Sequence, residues 1–292
     1  MNIRKATSLD IPAVISIWKS VFSDSDDFVN RFIAYFGVAH CYVCEINGEV
    51  AAMAFALPTS LQFKVQSSKF KVQSSKFKVQ GFTTSHSSSL IPLLYVYACA
   101  TLPRFRGQGA MAKLLETIYE EACREDMSGI FLHAANQKLE EYYRKLGFVD
   151  YFYRESTVFF TNHKEHKGDT KDTEKFIAPI IYHKKRLQKL EDYCFVNWDE
   201  GFFNFLYKTG TQFCEYENNI FSLRIENKTI IIDELLGDTP KEQIAQHIFN
   251  HFPDIKTVEI NYLGNTNCYG QIKWCNPKNE NLYKGYFAFA ME

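Results

Sequence analysis

Residues 104–110 read Arg104-Phe105-Arg106-Gly107-Gln108-Gly109-Ala110 and stand between an apolar, β-rich run at 90–101 and a segment of helical spacing. In that segment Met111, Leu114, Leu115, Ile118 and Ala122 recur on one face. Glycine lets a backbone approach a ligand closely. The start of a helix presents unpaired N–H groups at the positive end of its dipole. A strand, a glycine turn and a helix in this order therefore suit a pyrophosphate, and Arg104, Arg106 and Lys113 add positive charge. The loop lacks the Gly-Lys-Ser/Thr ending of a Walker loop and the GxGxxG spacing of a dinucleotide fingerprint. Taken alone, it is also compatible with a purely structural turn.

Downstream, 129–135 reads as a strand. Leu139, Tyr142, Tyr143 and Leu146 share one face of a helix that Gly147 ends. The run 150–160 supplies closing strands. Upstream, 2–7 reads as a short strand. Ile11, Val14, Ile15, Trp18 and Phe22 mark a helix capped by Ser8 or Asp10, and Phe28, Phe32 and Phe36 mark a second. The runs 40–46 and 49–57 predict strands joined by the turn Asn47-Gly48. A helix crossing over between 90–101 and 129–135 predicts a parallel strand pair in an α/β sheet.

With these elements in place, the first half resembles the GNAT superfamily of acyl-CoA-dependent N-acyltransferases. Arg104, Gly107 and Gly109 match its acyl-CoA loop, Arg/Gln-x-x-Gly-x-Gly/Ala. Tyr97-Ala98-Cys99-Ala100-Thr101-Leu102-Pro103 resembles the strand whose backbone lies beside the pantetheine arm. Asn136, Leu139, Tyr142, Tyr143, Gly147 and Phe148 match a second motif, Asn-x-x-Ala-x-x-aromatic-Tyr-x-x-x-Gly-Phe, with Leu139 replacing the usual small residue. The resemblance covers about residues 1–160. It implies a GNAT-like mixed sheet flanked by helices and acetyl-CoA as co-substrate. The residues it assigns to the cofactor are Cys99, Ala100, Thr101, Arg104, Arg106, Gly107, Gln108, Gly109, Ala110 and Asn136. It also implies that Tyr143 faces the thioester sulfur. An amine attacks the carbonyl there, and a phenol with an ordinary pKa of about 10 can protonate the departing thiolate. Tyr142 is the fallback donor. His133 is a candidate base and equally a satisfied core histidine. Cys99 could form an acyl-enzyme, but most of the family transfers acetyl directly.

Residues 161–175, TNHKEHKGDTKDTEK, are almost without apolar side chains and read as a linker between 1–160 and 176–292. Beyond them, 221–225 and 229–236 look like strands. Thr239-Pro240-Lys241-Glu242 has the pattern of a capping box, and Ile244, Ile248, Phe249 and Phe252 form a helical stripe. The runs 257–263 and 285–291 look like further strands. This half resembles a degenerate GNAT-like α/β domain. Where its phosphate loop should be, Asp238 would repel pyrophosphate and Pro240 removes an N–H. The tandem plan resembles a type in which the terminal carboxylate helps at the active site, which makes Glu292 a further candidate base. Residues 63–80 carry two copies of Phe-Lys-Val-Gln-Ser-Ser-Lys and part of a third, read as an insertion between two strands.

The composition bounds the remaining classes. At 292 residues the chain suggests two domains. Its 16% aromatic content suggests aromatic-rich cores or an apolar cleft. A net charge of -1 argues against nucleic-acid or anionic-membrane partners, which need a basic excess. No apolar run is long enough to span a bilayer and the N-terminus has no signal-peptide core, so a cytoplasmic location is expected. A homo-oligomer is possible. The eight cysteines are expected to be free, mostly buried thiols. Cys41 and Cys44 form one CxxC pair on a strand, where residues three apart face opposite ways, so no metal site is expected. The rival readings are transfer from another acyl-CoA and a non-catalytic acyl-CoA sensor or partner-binding module.

Overall fold

Asn47 and Gly48 have φ of 53° and 81°, the left-handed pair a tight hairpin requires. They join β2 (Cys41–Ile46) to β3 (Glu49–Lys64). The computed structural model describes residues 1–64, 88–161, 175–277, 279 and 284–291. Ahead of the hairpin come β1 (Asn2–Lys5), α1 (Ile11–Val21) and α2 (Asp26–Phe36). After it come β4 (Ser88–Thr101), α3 (Ala110–Arg124), β5 (Gly129–Leu132), α4 (Gln137–Lys145) and β6 (Val149–Phe160). The remainder forms β7 (Lys175–Phe176), α5 (Pro179–Lys189), β8 (Phe195–Asn197), α6 (Glu200–Lys208) and β9 (Gln212–Tyr216). It continues through β10 (Asn219–Glu226), β11 (Thr229–Leu236), α7 (Lys241–His251), β12 (Thr257–Trp274) and β13 (Gly285–Tyr286).

The structure is an α/β fold with a mixed sheet, as the periodicity predicts. β4 and β5 pair in parallel, at Leu94 with Ile130 and Tyr95 with Phe131. α3 crosses over between them and buries Leu114, Leu115, Ile118 and Ala122. Each of the larger three contributes about 1.5–3 kcal/mol relative to exposure. The antiparallel ladder of β3 and β4 runs out to Lys64 opposite Ser88, seven residues beyond the expected end of β3. The Phe-Lys-Val-Gln-Ser-Ser-Lys repeat past Lys64 lies outside the described residues, as do residues 162–174 of the expected linker.

All thirteen described strands belong to one hydrogen-bonded sheet. The pairings β3–β4, β4–β5, β5–β12, β12–β6, β6–β13, β13–β8 and β8–β3 close a ring. Strands from both sides of residue 160 take part. On one face of the ring Phe131 stands 4.9 Å from Phe152 and 5.2 Å from Phe287, and Tyr95 lies 5.3 Å from Phe287. The largest core therefore crosses from one half to the other and is as aromatic as the composition suggests. α3 covers a second core and α7 a third. Cys41 packs in the first core and Cys44 in the second, so the two thiols sit on opposite sides of the sheet.

Three local expectations are corrected. Cys123 and Cys275 form a disulfide with Cα atoms 5.4 Å apart, so six cysteines rather than eight are free. The partners are 152 residues apart, and nothing local marks them. The capping box at Thr239 does not form: α7 begins at Lys241 with Pro240 as its N-cap, and the Thr239 hydroxyl bonds Asn219 and Glu217 instead. Finally, 285–291 pairs as a strand over Gly285–Tyr286 alone. Beyond it the carbonyls of Ala290 and Met291 accept hydrogen bonds from the hydroxyls of Tyr95 and Tyr97, both at 2.6 Å. Among the described residues no helix is long and apolar enough to cross a membrane.

Candidate active site

β4 carries a bulge that shapes the site. Phe55 stands opposite Tyr97 and Met53 opposite Ala100, so Ala98 and Cys99 share the place facing Ala54. Ala98 takes φ 52°, unusual for a residue with a side chain. Past the bulge β4 runs on to Thr101, while β5 stops at Leu132 and leads toward α4. The two strands part, and a cleft of about 410 Å³ opens between them. Tyr97, Ala98, Cys99, His133, Leu139 and Tyr143 line it, joined by Ala290 and Met291 from the far end of the chain.

At the end of β4 a 3₁₀ turn, Pro103–Phe105, leads into the glycine loop. Gly107 has φ 76° and Gly109, the N-cap of α3, has φ 80°. A Cβ built on either would meet no atom within 4 Å. The loop thus leaves open space before a helix start whose first N–H groups have no intrahelical partner. Its polar side chains brace the loop: Arg106 Nε donates to the Thr101 carbonyl at 3.1 Å and Gln108 Nε2 to the Arg104 carbonyl at 3.3 Å. Arg104 is ion-paired with Glu49. Ala100 and Ala110 are buried, leaving their main chain as the part a ligand could use.

Tyr143 and Cys99 meet in the cleft. The Tyr143 ring is 5% exposed, 5.4 Å from Tyr142 and 5.8 Å from Phe148. Burial, with the neighbouring Cys99 thiol, holds its phenol well above the usual value near 10. It is therefore neutral at physiological pH and keeps a proton available for a departing thiolate. Burial also pushes the Cys99 thiol up to about 12, which makes it a poor nucleophile. His133, just past β5, has Nδ1 2.5 Å from the Tyr269 carbonyl and its ring 4.2 Å from the Tyr269 ring. A carbonyl can only accept, so Nδ1 carries the proton and Nε2 is the basic nitrogen of the neutral ring. Asn136 is exposed and caps α4, its Oδ1 accepting from the Leu139 N–H at 3.0 Å. Glu292 lies outside the described residues.

Cys99, His133 and Tyr143 are thus brought together in one cleft, with the glycine loop at the end of the strand that forms one wall. Sequence reasoning missed Tyr95 and Tyr97 as tethers, and also Tyr269, Ala290, Met291 and Asp24. Asp24 follows α1 in a polar stretch, and the others look like ordinary strand residues. The corresponding loop of the second half is braced by a side chain from another strand. Asn219 Oδ1 takes the Thr239 N–H at 3.2 Å, and its side chain packs where a Cβ on Gly237 would stand. Among the described residues no group of three or more His, Cys, Asp or Glu could hold a metal ion.

The site thus combines a splayed parallel pair, a bulged strand and a glycine loop opening a helix. Residues 11–148 match the model of the acetyltransferase (GNAT) family. Acyl transfer to an amine is the general reaction of that family. Solved structures share the fold over most of the chain. A GCN5-related N-acetyltransferase from Kribbella flavida is 13% identical with a TM-score of 0.64, covering 94% of this chain and 69% of its own. One from Anabaena variabilis is 16% identical with a TM-score of 0.64, covering 94% and 73%. A conserved protein from Enterococcus faecalis is 12% identical with a TM-score of 0.69, covering 94% and 72%. No curated protein sequence matches the chain significantly.

Proposed function

We propose that this protein moves an acetyl group from acetyl-CoA directly to an amine, with Tyr143 as general acid. Residues 1–160 form the catalytic half, and 176–292 form a degenerate half that walls the acceptor side. The reading rests on one observation: the cleft between β4 and β5 holds a buried, neutral phenol, and the strand that forms one wall leads on into the open glycine loop. The pyrophosphate would lie on the N–H groups at Gly107, Gly109 and Ala110, with Arg106 and Gln108 bracing the loop. The pantetheine arm would run along Cys99, Ala100 and Thr101 and reach the amide of Asn136. The thioester would then stand beside Tyr143. The amine loses a proton on attack, and His133 is a candidate to take it. The acetyl carbon–nitrogen bond forms as the carbon–sulfur bond breaks, and Tyr143 returns a proton to sulfur. The acceptor is a small molecule or a peptide, and the reaction is set in the cytoplasm.

The test uses the full chain with acetyl-CoA and a panel of simple amines, amino sugars and peptides with free N-termini. Amine-dependent release of free thiol is the expected result. Tight acetyl-CoA binding with no thiol released by any amine would replace this reading with that of an acyl-CoA sensor.

A further inference from the structure

Beside the thioester cleft lies a larger one of about 630 Å³, sharing Asp24, Ala290 and Met291 with it. Its floor comes from the second half. β11 and β12 turn Ile230, Ile232, Val258 and Ile260 toward α7. Alternation then sends Asp233, Glu259 and Asn261 to the opposite face, into the cleft. Four carboxylates line it, Asp24, Glu226, Asp233 and Glu259, against two guanidiniums, Arg154 and Arg224. Arg224 is occupied by Asp233 at 3.0 Å and by Glu226. Arg154 lies over the Tyr269 ring, 3.4 Å from its centre.

Two carboxylates are left over. Among the described residues no Lys, Arg or His forms an ion pair with Asp24 or Glu259. Asp24 accepts from Trp18 Nε1 at 2.8 Å, and Glu259 from Asn261 Nδ2 at 3.4 Å. Asn261 is 1% exposed and also donates Nδ2 to the Ile232 carbonyl at 3.2 Å, which leaves its Oδ1 without a donor. Such a buried acceptor is unfavourable unless something donates to it. Acceptors in negative excess match a ligand group that brings both N–H donors and positive charge.

We propose that the acceptor carries two basic nitrogens. One is acetylated beside Tyr143, and the second, still protonated, is held by Asp24, Glu259 and Asn261. This rests on reading the chain as an acetyltransferase. A monoamine fills the first position and leaves the second unused.

The test begins with calorimetry on the full chain without acetyl-CoA, using n-butylamine and then 1,4-diaminobutane, 1,6-diaminohexane and 1,8-diaminooctane. All are then assayed as acceptors. At least one diamine should bind, with a KM tenfold or more below that of butylamine. Glu259→Gln should raise that diamine's Kd and KM about tenfold, without changing the butylamine KM or the affinity for acetyl-CoA. Glu259→Ala repeats the test if the first variant does not fold. Equal affinity for mono- and diamines, or an equal effect of both variants on both, would overturn the subsite. Diamine binding that needs Glu259, with no thiol released, would keep the subsite and remove the transferase reading.

Discussion

Gly107→Glu separates binding from folding. Gly107 sits at φ 76°, where a side chain costs about 1–2 kcal/mol of backbone strain. No atom lies within 4 Å of a Cβ built there, so no clash adds to that cost. For a chain of this size the strain lowers Tm by roughly 2–8 °C. The new carboxylate, however, enters the space proposed for the pyrophosphate. At about 4 Å each pair of like charges costs about 1 kcal/mol in water and about 4 at a protein surface. Displacement and repulsion together should raise the Kd for CoA at least ~100-fold, about 2.7 kcal/mol. Gly107→Ala keeps the strain and omits the charge, so it should show a similar Tm and a smaller loss of affinity. Thermal unfolding reports the first quantity and isothermal calorimetry the second. A folded Glu variant binding CoA within threefold of the parent would refute the assignment of the loop.

Tyr143→Phe should lower kcat by roughly 10²–10⁴-fold and leave CoA affinity unchanged in calorimetry. Because burial holds the Tyr143 phenol well above 10, it stays protonated as pH rises. Single-turnover rates should therefore show no loss from its ionisation up to pH 9, and a loss below that pH that vanishes in Tyr143→Phe would contradict the role. Asp10, 7% exposed, accepts from Arg4 at 2.7 and 2.8 Å, and the guanidinium holds its carboxyl well below the ordinary 3.8. Its stabilisation is present in full above that value and is lost as pH falls on through the lower value of the folded state. Asp10→Asn should thus cost about 1–2 kcal/mol at pH 7 and progressively less as pH falls below 3.8, as followed by denaturant titration. With Thr239 N–H already taken by Asn219, calorimetry should return one CoA per chain, and a value near two would show a second site. Deleting residues 70–76 removes one repeat unit beyond the Lys64–Ser88 end of the β3–β4 ladder. It should leave kcat/KM within tenfold, and a larger loss would point to a role for the repeat in catalysis.

Much of the first half could be read in advance because its signals are short-range. The Asn47-Gly48 hairpin, the stripe of α3 and the glycine loop each follow from neighbours a few residues apart, where backbone sterics and 3.6- or 2-residue periods write the structure directly into the order of side chains. The parallel pairing of β4 and β5 followed from the helix between them. The Tyr143 motif lies on one helix and needed no distant partner to be recognised. Thr239 shows the limit of such local rules: its pattern matches a capping box, yet Asn219, twenty residues earlier, takes both its hydroxyl and its N–H.

Tertiary structure alone decided the rest. The ring that joins the halves depends on β8 and β13, whose three and two residues are too short to show a period. The Cys123–Cys275 link, and the tethers from Tyr95 and Tyr97 to the end of the chain, join positions 152 to 195 residues apart. The acidic cleft gathers Asp24, Glu259 and Asn261 from opposite ends of the sequence. Contacts of this kind are fixed by which surfaces the folded strands bring face to face. That depends on the packing of the whole core, and no spacing along the chain records it.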